Sequence, residues 1–305
     1  MFRALLPTII KYQYTLWAWL FLTSLCQANS HNQAVILQYH HVSELTPAST
    51  SVSADTFKEH LNLINQLGFQ VLSIPSILRH LKQGTAFSKK TVGISFDDGY
   101  LSIYQHAFPE LKKRKLPFTI FVSPQAIDKE YGNSLNWTQL KEMQENGATI
   151  ANHSLNHAHL LARKKNENLS EWKARVSDNI HQAQRRLSSE LKVSQKLFAY
   201  PYGEFNQDLQ NLLKEQGYTA FSQQSGPVSS TSHLQALPRF PASGAYANID
   251  TLSTKLESLA FEIINESPKS EVLQFGLAAP ILDLTLLSDD VNYKNIQCFY
   301  LGQII

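Results

Sequence analysis

Two adjacent carboxylates at the end of an apolar strand constrain this chain more than any other feature. The stretch Thr91 to Tyr100 reads TVGISFDDGY. Thr91, Val92 and Ile94 are β-branched and Phe96 continues the apolar run, so the segment predicts a strand. It ends on Asp97 and Asp98, followed at once by Gly99. A glycine there lets the backbone turn sharply or approach a ligand closely. Parallel α/β sheets and barrels place their chemistry at the C-terminal ends of strands. Adjacent carboxylates repel, and burying both is costly unless a cation or a proton separates their roles. The competing reading is a surface Asp-Asp-Gly turn, and the rest of the chain decides between them.

Strand and helix signals alternate around that stretch. Ala34 to Gln38 (AVILQ) predicts a strand that delivers Tyr39-His40-His41. Helices are expected after Ser53-Ala54-Asp55 to about Leu67, and from about Ile74 to Gln83, Leu101 to Lys113, Trp137 to Asn146, Leu169 to Leu191, Asn206 to Gln216 and Ile249 to Ile264. Strands are expected at Phe69 to Leu72, Phe118 to Val122, Thr149 to Ala151, Leu197 to Tyr200, Tyr218 to Phe221 and, more weakly, Leu237 to Phe240. Alternation of this kind favours a parallel α/β sheet or barrel over an antiparallel class.

At 305 residues, 43% of them hydrophobic, the chain is long enough for one large domain or two small ones. Its formal net charge of +2 gives no reason to expect a nucleic acid or a polyanionic partner. Arg3 and Lys11 are the only charges before the apolar run Leu16 to Leu25. That run has the length of a signal-peptide core and is short for a membrane span. Residues 1–28 therefore read as a signal peptide cut after Ala28, with an uncleaved anchor, and hence membrane association, as the alternative. Cys26 and Cys298 are the only cysteines, so cleavage leaves one thiol and no internal disulfide.

His153 and His157 stand four apart in HSLNH. On a helical turn that spacing puts two imidazoles on one face. Two histidines and a carboxylate make a common zinc set with an open position, and they also describe non-haem iron. Alone, the histidine pair reads as two surface residues. Beside the strand-end acids, one Asp can serve as a ligand and the other as a general base. Iron-dependent oxygenation is disfavoured by order, because its carboxylate usually follows closely after the first histidine.

Ser95-Phe96-Asp97-Asp98-Gly99-Tyr100 together with His153-Ser154-x-x-His157-x-x-Leu160 resembles the polysaccharide deacetylases, the NodB-homology domain of carbohydrate esterase family four. The resemblance runs from about Ala34 to Ile264. It implies a distorted (β/α) barrel of fewer than eight strands, residues 29–267 as the deacetylase domain, and residues 268–305 as a short C-terminal extension of unassigned role. It implies hydrolysis of N-acetyl groups with a divalent metal, Zn2+ first and Co2+, Ni2+ or Fe2+ as alternatives. Asp97 matches the catalytic base, and Asp98, His153 and His157 match the metal ligands. Ser154 would support the histidine loop and Leu160 would pack beneath it.

The Pro201-Tyr202-Gly203 motif is intact, and the Tyr202 backbone N–H matches part of the oxyanion hole. The arginine that usually opens this motif is replaced by Ala199, and Arg239 in LPRF is the candidate to pair with Asp97. The usual late histidine acid is absent, and His40, with His41 second, is expected to supply the proton. AVILQYHHVS, FAYPYG and LPRF resemble the branch that deacetylates poly-β-1,6-N-acetylglucosamine in biofilm matrices. The implied partner is an N-acetylglucosamine polysaccharide handled by an exported bacterial protein, periplasmic or at the cell surface, with a polysaccharide export apparatus as a further partner. Chitin or peptidoglycan deacetylation, and a glycan-binding module on an inactive scaffold, are the alternatives.

Overall fold

The computed structural model describes residues 32–260 continuously, and beyond them 263–267, 281, 283–286, 299–300 and 303–304. The expected signal segment 1–28, both cysteines and most of 268–305 lie outside the described residues. Seven strands form the main path of one curled sheet: β1 (Gln33–Tyr39), β2 (Thr91–Phe96), β3 (Phe118–Val122), β4 (Ala148–Asn152), β5 (Leu197–Ala199), β6 (Thr219–Phe221) and β7 (Val228–Ser229). Their spatial order is β7-β1-β2-β3-β4-β5-β6, parallel throughout except for β7. Short strands at Gln70–Val71 and Phe240–Pro241 pair alongside β2 and β1.

Register sets where the strands end. β1 and β2 run paired from Ala34 opposite Thr91 to Tyr39 opposite Phe96, and the Asp97 N–H then donates to the Tyr39 carbonyl at 2.9 Å. β3 and β4 pair from Phe118 opposite Ala148 to Val122 opposite Asn152. The residues that follow these strands therefore emerge along one rim. Segment 237–241 spans from β6 to β1, because Leu237 bridges Phe221 while Phe240–Pro241 pairs with Leu37 and Gln38.

Helices cover the sheet: α1 (Ala54–Gln66), α2 (Ile74–Gln83), α3 (Phe108–Arg114), α4 (Trp137–Glu145), α5 (Leu169–Leu191), α6 (Gln207–Glu215) and α7 (Ile249–Leu256). Every residue of β2 and β3 is buried, which explains why these strands read as continuous apolar runs. Helix starts are fixed by side chains. The Ser53 hydroxyl accepts from the Thr56 N–H, and capping boxes join Asn136 to Gln139 and Asn168 to Glu171. Each such cap is worth about 1 kcal/mol. α5 buries Trp172, Val176, Ile180, Ala183, Leu187 and Leu191, a stripe at three- and four-residue spacing.

Three expectations are corrected. The helix expected from Ile249 to Ile264 stops at Leu256. Beyond it, the Gln33 carboxamide donates to the Ser258 carbonyl at 2.8 Å and accepts from the Ala260 N–H, so this backbone bonds to the start of β1 instead of continuing the helix. The helix expected from Leu101 to Lys113 opens with a wide π turn at Ile103–Ala107. Pro109 has no N–H to give to residue 105, and the Phe108 N–H reaches back to Ile103 instead. Finally, HSLNH forms a non-helical turn after β4. Ser154 and His157 both take left-handed backbone angles, at φ 66° and 51°.

In the tail, Ile263–Ser267 pairs antiparallel with Asp283–Leu286, and Phe299–Tyr300 with Gln303–Ile304. Among the described residues no helix is long and apolar enough to cross a membrane.

Candidate active site

Asp97 lies fully buried at the end of β2 and accepts three hydrogen bonds. Arg239 donates Nη1 to Oδ1 at 2.7 Å and Nη2 to Oδ2 at 2.8 Å, and Gln38 Nε2 donates to Oδ2 at 2.7 Å. Arg239 is itself fully buried. It also donates Nε to the Ser222 carbonyl at 3.0 Å and Nη1 to Ser95 Oγ at 3.3 Å, and it lies 5.3 Å from the centre of the Phe121 ring. Burial pushes the Asp97 carboxyl up, but the Arg239 guanidinium overrides it and holds the group at about 2. The carboxylate is therefore charged throughout the physiological range.

Asp98 points the other way. Gly99 follows it at φ 71°, and a Cβ there would sit 2.8 Å from Val122 Cγ1, so only glycine fits this turn. Asp98 Oδ1 is 3.2 Å from His153 Nε2 and 3.1 Å from His157 Nε2. That Oδ1 atom is buried, yet among the described residues no hydrogen-bond donor reaches it. His153 donates Nδ1–H to the Ala199 carbonyl at 2.8 Å, which turns the lone pair of a neutral Nε2 towards Asp98. Lone pairs from an oxygen and two ring nitrogens thus converge, their atoms all within 4.8 Å of one another. Such a set is stable around a cation or an added proton. Burial pushes His153 down, but Asp98 and Asp97 reverse this and raise it. Two imidazoles and one carboxylate with the remaining directions free fit a divalent metal.

The turn from His153 to His157 is built by side chains. The Asn152 carboxamide oxygen accepts from the Ser154 N–H at 2.9 Å, and Ser154 Oγ accepts from the His157 N–H at 3.0 Å. Asn179 on α5 accepts from the Leu155 N–H at 2.9 Å and donates to Asn156 Oδ1 at 2.9 Å. Leu160 is buried with Trp172 and Tyr200, and its carbonyl accepts from the Trp172 indole at 2.8 Å. Asp98, Ser154, His157 and Tyr202 all take positive φ, between 51° and 69°. Backbone strain of this kind clusters at functional sites.

His40 sits among Asp97, Asp98, Arg239 and His153, and burial lowers its basicity. His41 is turned aside: its ring stacks on Tyr100 with centroids 3.7 Å apart, and Nδ1 lies 3.4 Å from Ser102 Oγ. Tyr202 is half exposed at the rim, edge-on to His157 at 4.4 Å and stacked on His159 at 3.8 Å.

Two contributors were not anticipated from the sequence. Gln38 was read only as the end of an apolar strand, although a carboxamide closing the run AVIL was a visible signal. Asn179 lies on a polar helix where nothing in the local sequence distinguishes it.

Comparison with known proteins gives a consistent set of likenesses. The family model described as polysaccharide deacetylase matches residues 84–221. The chain is 28% identical over 227 residues to the poly-beta-1,6-N-acetyl-D-glucosamine N-deacetylase of Staphylococcus aureus strain MRSA252, covering 68% of this chain and 78% of that protein. It is 30% identical over 207 residues to YxkH of Bacillus subtilis, a protein named for the polysaccharide deacetylases, covering 67% of this chain and 69% of that one. The solved structure of IcaB from Ammonifex degensii aligns with a TM-score of 0.63 at 26% identity, covering 74% of this chain and 97% of that chain.

Proposed function

The chain belongs to the polysaccharide deacetylase family, and from that membership we propose that it hydrolyses N-acetyl groups from a β-1,6-linked N-acetylglucosamine polymer. The observation that carries the reading is the convergence of Asp98, His153 and His157 beside the arginine-held Asp97, at the C-terminal ends of parallel strands. The β-1,6 linkage is supported by the name of one relative, the Staphylococcus aureus deacetylase. It is supported also by the motifs AVILQYHHVS, FAYPYG and LPRF.

Asp98, His153 and His157 would hold the divalent metal, with Zn2+ the first candidate and Co2+, Ni2+ or Fe2+ alternatives. When bound, it would supply Lewis-acid polarisation of the acetamide carbonyl and ease deprotonation of water. Asp97 is the base. Its carboxylate is ionised in advance, and the three donated hydrogen bonds leave a lone pair on Oδ1 for the proton of the attacking water. The Tyr202 backbone N–H is the proposed donor to the developing oxyanion. His40 gives the proton to the departing nitrogen. It is preferred over His41 because it lies within electrostatic reach of Asp97, Asp98 and Arg239, whereas the His41 ring is stacked on Tyr100. The products are acetate and a glucosamine unit, so the polymer gains a cation at each turnover. The reading carries export with it, through the apolar segment within residues 1–28, and an export apparatus as partner.

Acetate release from the β-1,6 polymer, measured beside chitin oligomers and peptidoglycan fragments, tests the reading. Release from the β-1,6 polymer at the highest kcat/KM is expected. Faster release from another glycan would reassign the substrate, and binding without release would leave a glycan-binding module.

A further inference from the structure

The turn at Tyr202 is strained and has to be held. Tyr202 takes left-handed angles of φ 59° and ψ 6°, and Gly203 follows at φ 70°. That conformation crowds a tyrosine Cβ against its own backbone, so it persists where the surroundings impose it. Part of the hold is in the turn: the Gly203 N–H donates to the Tyr200 carbonyl at 2.9 Å, and the Glu204 N–H to the Pro201 carbonyl at 3.2 Å. The rest comes from the loop after β4. His159 lies flat on the Tyr202 ring, with centroids 3.8 Å apart and planes 8° from parallel. His157 meets the same ring edge-on at 4.4 Å. His159 is held in turn, its Nδ1 standing 3.0 Å from Glu204 Oε2. Glu204 is two residues past Tyr202, and His159 is two past His157. The contacts therefore close a circuit, from the Tyr202 ring to the His159 ring, to the Glu204 carboxylate, and along the backbone to Tyr202 again.

The circuit joins two loops that the sheet leaves apart. β4 and β5 pair through Asn152 opposite Phe198, and His153 Nδ1 reaches the Ala199 carbonyl at 2.8 Å just beyond. From there one chain runs on to His157 and the other to Tyr202. The contact of His159 with Glu204 ties them together a second time, at the rim. Their side chains are 55% and 41% exposed, and an ion pair so exposed adds little to global stability. What it controls is where the Tyr202 loop sits. We propose that His159 and Glu204 are positioning residues that clamp the Tyr202 ring, and so fix the backbone N–H that the deacetylase reading, on which this rests, assigns to the oxyanion. Neither side chain is asked to touch the reacting atoms. An oxyanion exists only on the way through the transition state, so a loosened donor lowers kcat and leaves KM in place. A displacement of about 1 Å is enough to cost up to about a hundredfold.

The test uses the full chain carrying His159→Ala, Glu204→Ala, both together, or Glu204→Gln. Three quantities are read from each: kcat and KM for acetate release from the β-1,6 polymer, Zn2+ affinity against a chelating dye, and the Tyr202 signal in the fluorine spectrum of protein labelled with 3-fluorotyrosine. The signal is assigned by its loss in Tyr202→Phe. His159→Ala is expected to lower kcat about tenfold or more, Glu204→Ala less, and the double variant no further than His159→Ala. KM and Zn2+ affinity should stay within about twofold of wild type. Glu204→Gln keeps an oxygen opposite His159 Nδ1 and should recover most of the rate. The Tyr202 signal should move when the stacked imidazole is removed. An unchanged kcat in both alanine variants overturns the proposal, as does a fall in kcat matched by an equal fall in Zn2+ affinity, which would assign the pair to the metal turn. An active wild type whose variants shift neither kcat nor the Tyr202 signal removes the clamp and leaves the deacetylase reading in place. A wild type that releases no acetate, with a Tyr202 signal that still moves in the variants, removes that reading and leaves the clamp.

Discussion

Arg239 and Asp97 are 142 residues apart in sequence, yet the guanidinium meets the carboxylate through two hydrogen bonds of 2.7 and 2.8 Å, with both side chains out of contact with solvent. The strand-like segment that carries Arg239 also spans from β6 to β1, so one stretch of chain both bridges the sheet and charges the base. Removing one member of a buried pair strands the other. Arg239→Ala is expected to destabilise the protein by about 3–5 kcal/mol, read from the urea midpoint. Arg239→Lys restores the charge without the two-pronged geometry and should recover only part of the loss. A cost below about 1 kcal/mol for the alanine variant would contradict this account.

The metal-ligand turn depends on a residue that touches no ligand. Asn179 fixes the Leu155 N–H and the Asn156 side chain, and through them the left-handed turn that ends on His157. Asn179→Ala should weaken Zn2+ affinity about 10–100-fold while the fold is kept, as measured by competition with a chelating dye. Wild-type affinity in this variant would show that the turn holds itself.

His60 supplies a pH dependence remote from the site. It is fully buried, with Nδ1 3.0 Å from the Tyr39 hydroxyl and Nε2 2.7 Å from the Ala247 carbonyl. Burial lowers its pKa below the ordinary histidine value of 6.5, and Lys255 adds to the effect. Below that value the unfolded chain takes up a proton that the folded chain refuses. The contribution to stability is therefore fully present above about pH 6.5 and is lost as the pH falls from there towards the folded value. His60→Gln should make the fall in melting temperature between about pH 7.5 and 5.5 shallower than in wild type. An unchanged slope would mean that other groups, such as the half-buried His40 and the buried His41, carry all of it.

Much of this was legible in the sequence because it is local. The alternation of strands and helices and the strand ending on Asp97 and Asp98 are encoded within a few residues. HSLNH was misread as a helical turn because its spacing suits one. The backbone instead follows Asn152, Ser154 and Asn179, and the last of these lies outside any local window. Gln33 ending the helix after Leu256 is a contact across more than two hundred residues, which no periodicity reports. The pairing of Arg239 with Asp97 was inferred from a motif with its arginine missing.

The most direct test of the central claim is acetate release from fully acetylated β-1,6-N-acetylglucosamine polymer by the intact chain. It should be assayed as prepared, after chelation, and after addition of Zn2+ or Co2+, with bound metal determined on the same samples. The account predicts release that disappears with the metal, returns when metal is restored, and is absent from Asp98→Asn at every metal concentration that saturates wild type. A protein with its metal in place that releases no acetate from any N-acetylglucosamine polymer, or one that releases acetate equally well after chelation, would contradict it.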